Sequence, residues 1–181
     1  MENKTVFLDE LRRSCASSQK RGLHFMLASV LIWTGVIFIS LSAFPVMTKN
    51  ILTFCFATPL MPLAYILSKP LGITFSDKSD PLSPLGILFS AGQILYILIA
   101  MWVCAAVPDK MLMVYAMVYG AHLLPFGWLY RSKTYYFMSV FDTLAVLVIG
   151  CTLRSSAIAV FMLLSQIGMC FMLYTENKKQ I

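Results

Sequence analysis

Long apolar segments alternate with short polar connections along nearly the whole chain. A helix that crosses a bilayer needs roughly 20 apolar residues, and six segments are close to that length. The pattern therefore predicts an all-α, polytopic membrane helix bundle with six transmembrane helices. The predicted spans cover residues 23–44, 51–67, 85–107, 111–130, 135–153 and 156–174.

Two shorter segments complete the predicted domain organisation. Residues 1–22 are expected to form a helix that lies on the membrane surface, and residues 176–181 a tail, on either side of a transmembrane domain of residues 23–175. The spans are expected to insert and fold without the first segment. Its apolar positions recur at helical spacing, at Phe7, Leu8, Leu11 and Cys15.

The composition favours a membrane protein over a soluble one. Hydrophobic residues make up 59% of the chain and charged residues 12%, whereas a soluble domain carries about a quarter charged residues. The net charge is +6, but the basic residues flank apolar spans and leave no basic domain that could bind nucleic acid. The lipid bilayer is therefore the first predicted partner, and nucleic acid is not expected to be one.

The basic residues also predict the orientation of the bundle. With the N-terminus inside, eleven Lys and Arg residues lie on the cytoplasmic side and three, Lys49, Lys110 and Arg154, on the outer side. Positively charged loops favour the cytoplasm, and an even number of spans returns the chain to the side on which it started. Both termini are therefore predicted to be cytoplasmic.

Prolines interrupt the second predicted span and suggest an internal repeat. Pro59 and Pro62 remove backbone donors, so this helix is expected to kink. Residues 60–69 resemble residues 123–133, and Pro62 corresponds to Pro125 in that alignment. Two explanations stay open. The hairpin of spans one and two and the hairpin of spans three and four are duplicates in parallel orientation, as in some transporters, or the two segments are similar by chance because both are apolar.

Signatures of catalysis and of metal binding are missing from the sequence. It has no P-loop, no H-E-x-x-H, no G-x-S-x-G and no dinucleotide-binding glycine fingerprint. Two histidines, His24 and His122, are too few for an all-protein histidine metal site. The five cysteines include no C-x-x-C pair and are interpreted as apolar thiols. No metal, cofactor or catalytic residue is predicted, and the sequence does not favour an enzyme.

Polar residues inside the spans form the candidate site. Four lie at nearly the same predicted depth and are His122, Asp142, Gln93 and Gln166. Four more lie on the adjoining helix faces and are Tyr115, Tyr119, Ser139 and Thr143. Ionisable groups in a membrane often mark pathways or ligand sites, but hydrogen bonds that hold a bundle together use the same residue types. Both interpretations stay open. His122 and Asp142 are predicted to pair directly, because they are equally distant from the turn between spans four and five.

Three segments carry a resemblance to a known family. They are residues 19–25 (Q-K-R-G-L-H-F), 101–111 (M-W-V-C-A-A-V-P-D-K-M) and 114–133 (V-Y-A-M-V-Y-G-A-H-L-L-P-F-G-W-L-Y-R-S-K). In these segments, and over nearly its whole length, the chain resembles a bacterial family of six-span integral membrane proteins without an established activity. The resemblance implies the fold, a bacterial origin and a location in the cytoplasmic membrane. It implies no substrate.

Three functions fit these observations. The first is a carrier or channel for a small molecule or ion, coupled to protons and forming a homo-oligomer, and it rests on the polar site and the broken second span. The second is a non-catalytic membrane partner or regulatory subunit, and it rests on the missing catalytic signatures. The third is an intramembrane enzyme acting on lipid. It is disfavoured because His122 and Asp142 are accompanied by no nucleophile or metal set.

Overall fold

A computed structural model describes residues 2–73, 75 and 80–178 of the chain. Within these residues, helices are the only regular secondary structure. Two single-turn 3-10 helices, Lys20–Gly22 and Pro108–Lys110, connect longer elements. The α-helices are α1 (Glu2–Ser18), α2 (Leu23–Leu41), α3 (Val46–Ala57), α4 (Leu60–Ser68), α5 (Ser83–Ala106), α6 (Met111–His122), α7 (Leu124–Leu129), α8 (Lys133–Thr152) and α9 (Ser155–Lys178).

Six helical segments in the described part of the chain are long and apolar enough to cross a membrane, which confirms the predicted fold class. Spans one, three, five and six each contain one long helix, whereas spans two and four combine α3 with α4 and α6 with α7. The spans are Lys20–Leu41, Val46–Ser68, Ser83–Ala106, Pro108–Leu129, Lys133–Thr152 and Ser155–Lys178. These bounds indicate a multi-pass membrane protein.

The predicted boundaries differ most at the start of span two, which begins at Val46 rather than at residue 51. The charge of Lys49 suggested a connection outside the helix. Instead, Lys49 lies within α3, and its Nζ donates a hydrogen bond of 2.9 Å to the Ser40 carbonyl near the end of α2. A long lysine side chain can stay in a helix near a membrane boundary because its amino group reaches the polar end of a neighbouring helix.

Proline breaks divide spans two and four. The break between α3 and α4 falls at Pro59, as predicted from its missing backbone N–H. A second break, which was not predicted, separates α6 from α7 at Leu123, two residues before Pro125. Both breaks lie just before the prolines that correspond in the two similar segments, Pro62 and Pro125. The duplication of the hairpins itself stays a prediction.

Four spans form the buried core of the bundle. α2 packs along α9, α6 packs along α8, and α8 packs on α9. Span two lies outside α2, and span three lies outside α6, so both are much less buried than the other four spans. The largest fully buried core side chains include Trp33, Met111, Leu123, Tyr135, Ile158 and Met162.

Close contact between α6 and α8 depends on Gly120. The small-xxx-small pattern of Ala116 and Gly120 predicts a close helix approach. A Cβ atom at Gly120 would lie 2.8 Å from Thr143 Oγ1, 3.1 Å from the Thr143 backbone nitrogen and 3.2 Å from the Asp142 Cβ. α8 therefore occupies the space that a side chain at position 120 would need.

A polar cluster joins spans one, five and six on the side of the bundle where α1 leads into α2 and where α9 ends, called here the termini side. The cluster is defined by Arg21, Ser132, Glu176 and Asn177. Arg21 Nη1 donates to Asn177 Oδ1 at 2.5 Å, and Arg21 Nε lies 3.6 Å from Glu176 Oε2. The Ser132 hydroxyl and the Thr134 N–H donate to the two carboxylate oxygens of Glu176 at 2.6 and 3.1 Å. Glu176 and Asn177 lie in the last two turns of α9. Their contacts with Arg21, Ser132 and Thr134 hold the bundle together at this side.

The last turn of α1 packs into the bundle. Cys15 and Ala16 are buried and belong to the hydrophobic core, while Arg12 donates to the Trp128 carbonyl and lies 4.5 Å from the centre of its ring. Burial and the neighbouring Asp80 carboxylate raise the pKa of the Cys15 thiol to about 12, so it stays protonated at neutral pH. Because these contacts contribute to the core, we expect removal of α1 to lower the stability of the spans.

Candidate functional site

A buried hydrogen-bond network joins spans one, four, five and six. The Ser165 hydroxyl donates to Asp142 Oδ1 at 2.5 Å, and Gln166 Nε2 lies 3.4 Å from Asp142 Oδ2. Gln166 Oε1 in turn accepts from the Tyr119 hydroxyl at 2.9 Å and faces the Ser29 hydroxyl at 3.1 Å. Asp142 and Gln166 are fully buried. The network therefore satisfies its own polar groups inside the bundle.

The predicted direct pair between His122 and Asp142 is wrong for the described residues, because neither side chain bonds to the other. Asp142 bonds to Ser165 and Gln166, whereas His122 Nδ1 lies 2.6 Å from the Tyr119 backbone carbonyl. Asp142 and Gln166, which were predicted at one depth, contact each other. The predicted depth of His122 did not determine the face of α6 on which its ring lies.

A large cavity lies beside this network, between spans two and three. Its volume is about 650 Å³, within the usual range for small-molecule sites. α3 and α4 form one wall and α5 the other, while α2 and α6 form its base. The lining of the α5 wall runs from Ile87 to Cys104, which is roughly 25 Å along a helix. The cavity is thus long enough for an extended chain.

The cavity opens sideways, towards the region that lipid occupies around such a bundle. Several lining side chains are also exposed, among them Met61, Ile87 and Ile94, as expected for a cavity that is open on one side. The two walls meet at the end away from the termini, where Asn50 Nδ2 donates to the Pro108 carbonyl at 2.9 Å. Among the described residues, α4 and α5 make few direct contacts, so the two walls diverge towards the termini.

The lining is apolar and carries no Lys, Arg, Asp or Glu among the described residues. At its termini end lies Tyr130, and burial, with smaller effects from Cys15 and Asp80, raises the pKa of this phenol above its ordinary value. The polar lining side chains are few, and those within the spans include Thr58, Ser90, Gln93, Tyr115, Tyr119 and His122. The cavity therefore suits an uncharged molecule with a large apolar part.

The sequence-predicted site residues divide between the network and the cavity. Asp142 and Gln166 meet in the network, and Tyr119 contacts both regions. His122, Tyr115 and Gln93 line the cavity, and Gln93 bonds to none of the other predicted residues in the described structure. Ser139 and Thr143 bond to each other, because the Thr143 hydroxyl donates to the Ser139 carbonyl at 2.7 Å.

Two features of the site were missed in the sequence. The cavity walls consist of ordinary apolar residues, such as Phe54 and Met101, and nothing in their pattern separates them from lipid-facing ones. Arg21 was counted only as a topology charge, although it is buried and paired. As for metals, no group of three or more His, Cys, Asp or Glu side chains converges within the part of the chain that the structure describes.

The fold and the cavity define a multi-pass helical membrane protein with a laterally open apolar site. Residues 8–176 match DUF7010, a family of unknown function. The chain belongs to this family, which confirms the expected membership of a family without an established activity. Comparisons with curated proteins and with solved structures gave no significant match.

Proposed function

We propose that this protein is a small-molecule carrier of the membrane whose substrate has an apolar tail and enters the cavity from the bilayer. The observation that carries the proposal is the sideways-open cavity of about 650 Å³ between spans two and three. An apolar site that opens towards lipid favours a molecule already dissolved there, because transfer from lipid to the cavity does not require water to solvate the tail. This proposal keeps the carrier hypothesis and changes its expected substrate.

The buried network supports this change of substrate. A path for a polar solute or proton needs groups that can exchange partners along a wet route. Asp142 and Gln166 are instead fully buried and bonded to side chains of neighbouring helices. We propose that this network holds the core spans together beside the cavity, while the cavity binds the substrate.

Photolabelling tests whether the cavity takes up an apolar molecule. The probe is a diazirine-bearing hexadecane added to the protein in lipid nanodiscs, and labelled peptides are identified by mass spectrometry. We expect labelling on both walls, in α3–α4 and α5, and competition by unlabelled hexadecane. Ala91→Trp, which places a large side chain in the cavity, should reduce this labelling about tenfold, as a loss of roughly 1.4 kcal/mol would.

The matched control for Ala91→Trp is Ala105→Trp, on the same helix but outside the cavity lining. Ala105→Trp should leave cavity labelling unchanged. Equal labelling of all outward-facing helix surfaces, without competition by hexadecane, would show general contact with lipid and would contradict the proposed site.

We also propose that the protein resides in the bacterial cytoplasmic membrane with both termini in the cytoplasm. In the topology predicted from the sequence, eleven of the fourteen Lys and Arg residues fall on the termini side, which the positive-inside rule favours as the cytoplasmic face. In a variant without native cysteines, a membrane-impermeant maleimide added to intact cells should label Asp109→Cys and should not label Ser17→Cys. Both positions are exposed. The opposite labelling pattern would reverse the orientation.

One observation favours a different occupant for the cavity mouth. Spans two and three are mostly exposed, and a membrane partner or a second copy of the chain could cover them as well as lipid does. A covered mouth would block photolabelling, and light scattering of the purified protein would then give the mass of a complex. A monomer that is labelled in the cavity would argue against the partner function.

A further inference from the structure

The polar lining of the cavity includes two side chains at similar depth. Gln93 on α5 and His122 on α6 both line the cavity. α5 and α6 are antiparallel and packed together. Gln93 lies about four turns before the Pro108–Lys110 turn and His122 about three turns after it, so their depths differ by roughly 5 Å. The two side chains therefore face the same cavity at similar depth, from adjacent helices.

His122 offers a hydrogen-bond acceptor at this level. Its Nδ1 lies 2.6 Å from the Tyr119 carbonyl, which can only accept, so the shared hydrogen belongs to Nδ1. In the neutral ring, Nε2 then carries a lone pair and no hydrogen. An imidazolium would place a positive charge in a cavity whose described lining contains no carboxylate, and that arrangement is costly in an apolar environment.

Nε2 of His122 and the amide of Gln93 have no hydrogen-bond partner within the described structure, unlike the hydroxyl of Ser90, which donates to the Gly86 carbonyl. At this depth of the cavity, Nε2 of His122 is thus a hydrogen-bond acceptor, and the amide of Gln93 both donates and accepts. A hydroxyl group is complementary to the pair, because it can donate to Nε2 and accept from the amide nitrogen. An anionic head would face the lone pair of Nε2 without a cation to balance its charge.

We propose that His122 and Gln93 recognise the uncharged hydroxyl head of a long-chain alcohol, whose tail lies along the apolar wall of α5. This inference rests on the proposed function, since it names the substrate class of the same cavity. The tail extends from the level of His122 towards Cys104, where the two walls close against each other near Met47. The hydrogen bonds of the alcohol hydroxyl with His122 and Gln93 replace those that it loses when it leaves the membrane surface.

Competition against the photoreactive hexadecane tests the head group separately from the cavity. Three competitors share one chain length: 1-hexadecanol donates and accepts, its methyl ether only accepts, and hexadecane does neither. We expect 1-hexadecanol to compete at about a tenfold lower concentration than the other two, as one buried hydrogen bond would give. His122→Phe keeps an aromatic ring beside Phe126 and should reduce this preference to about twofold or less.

Gln93→Leu provides a second test at a half-buried position of α5, in case His122→Phe lowers the amount of folded protein. It should weaken the preference for 1-hexadecanol and leave competition by hexadecane unchanged. Tyr96→Phe, outside the lining on the same helix, should leave all three competitors unchanged. Equal competition by all three against cavity labelling in the unsubstituted protein would overturn the head-group inference and leave the proposed function standing. Failure to label the cavity at all would overturn both.

Discussion

Replacement of Arg21 by methionine should destabilise the fold by on the order of 3 kcal/mol, as is typical when one partner of a buried ion pair is removed. The Arg21 side chain is only 3% exposed and contacts both Glu176 and Asn177 at the end of α9. Without the guanidinium, the carboxylate of Glu176 stays close to the bundle, and its donors among the described residues are the Ser132 hydroxyl and the Thr134 N–H.

The backbone around Arg21 is strained. Lys20, Arg21 and Gly22 all have positive φ angles, of 45°, 51° and 69°, and this conformation costs about 1 kcal/mol or more for a residue other than glycine. The Tyr135 hydroxyl donates to the Arg21 carbonyl at 2.8 Å, and Asn177 Nδ2 donates to the Lys20 carbonyl at 3.0 Å. Contacts with spans five and six therefore hold a strained connection between α1 and α2.

Equilibrium unfolding in mixed micelles, followed by circular dichroism, measures the Arg21→Met effect. The double variant Arg21→Met/Glu176→Gln should lose less stability than the sum of its single variants, because the second change removes the unpaired charge. Arg154→Met, at an exposed arginine on the opposite side, should change stability by about 0.5 kcal/mol or less. Equal losses for Arg21→Met and Arg154→Met would show that the termini-side cluster does not stabilise the bundle.

Replacement of Gly120 by leucine should be similarly damaging, by about 2–3 kcal/mol or more, because α8 occupies the space of the new side chain. The nearest obstacles to a Cβ are Thr143 Oγ1 and the Thr143 backbone nitrogen, at 2.8 and 3.1 Å. A backbone atom in a helix cannot move aside alone, so α6 and α8 must separate. That separation would also disturb the contact between Asp142 and Gln166.

Gly92 offers a matched comparison for Gly120. It also lies within a transmembrane helix, α5, but no atom of the described residues, other than its own helix backbone and immediate neighbours, lies within 4 Å of a Cβ placed there. Gly92→Leu should therefore leave stability unchanged or raise it slightly, since leucine favours a helix by about 0.8 kcal/mol relative to glycine. A similar loss for both variants, measured by the same unfolding experiment, would contradict the close packing of α6 on α8.

The spans could be predicted from the sequence because the length of an apolar segment depends only on local composition. The break at Pro59 was predictable for a similar reason, since proline lacks the backbone donor wherever it occurs. The start of span two was not predictable, because Lys49 bonds to a carbonyl of the preceding helix. That contact depends on how α2 and α3 pack, which periodicity does not specify.

The candidate site was predictable in its residues and not in its arrangement. Depth along a helix follows from residue number, so Asp142 and Gln166 were expected at one level, and they meet there. The direction of a side chain around the helix axis depends on packing, and His122 faces the cavity instead of Asp142. The cavity itself arises because spans two and three lean on different core helices, which no local pattern encodes.

The accessibility of nitroxide spin labels to oxygen and to a water-soluble nickel complex tests the central claim, which is that the cavity is filled from the bilayer. In a variant without native cysteines, labels at Ala57→Cys and Ala91→Cys report on the two cavity walls. Labels at Leu95→Cys, exposed on α5 outside the lining, and at Ser17→Cys, exposed on α1, serve as lipid and water references. We predict high accessibility to oxygen and low accessibility to a water-soluble nickel complex at both cavity positions, as at position 95. Accessibility to the nickel complex like that at position 17 would mean that water fills the cavity, and it would contradict the account.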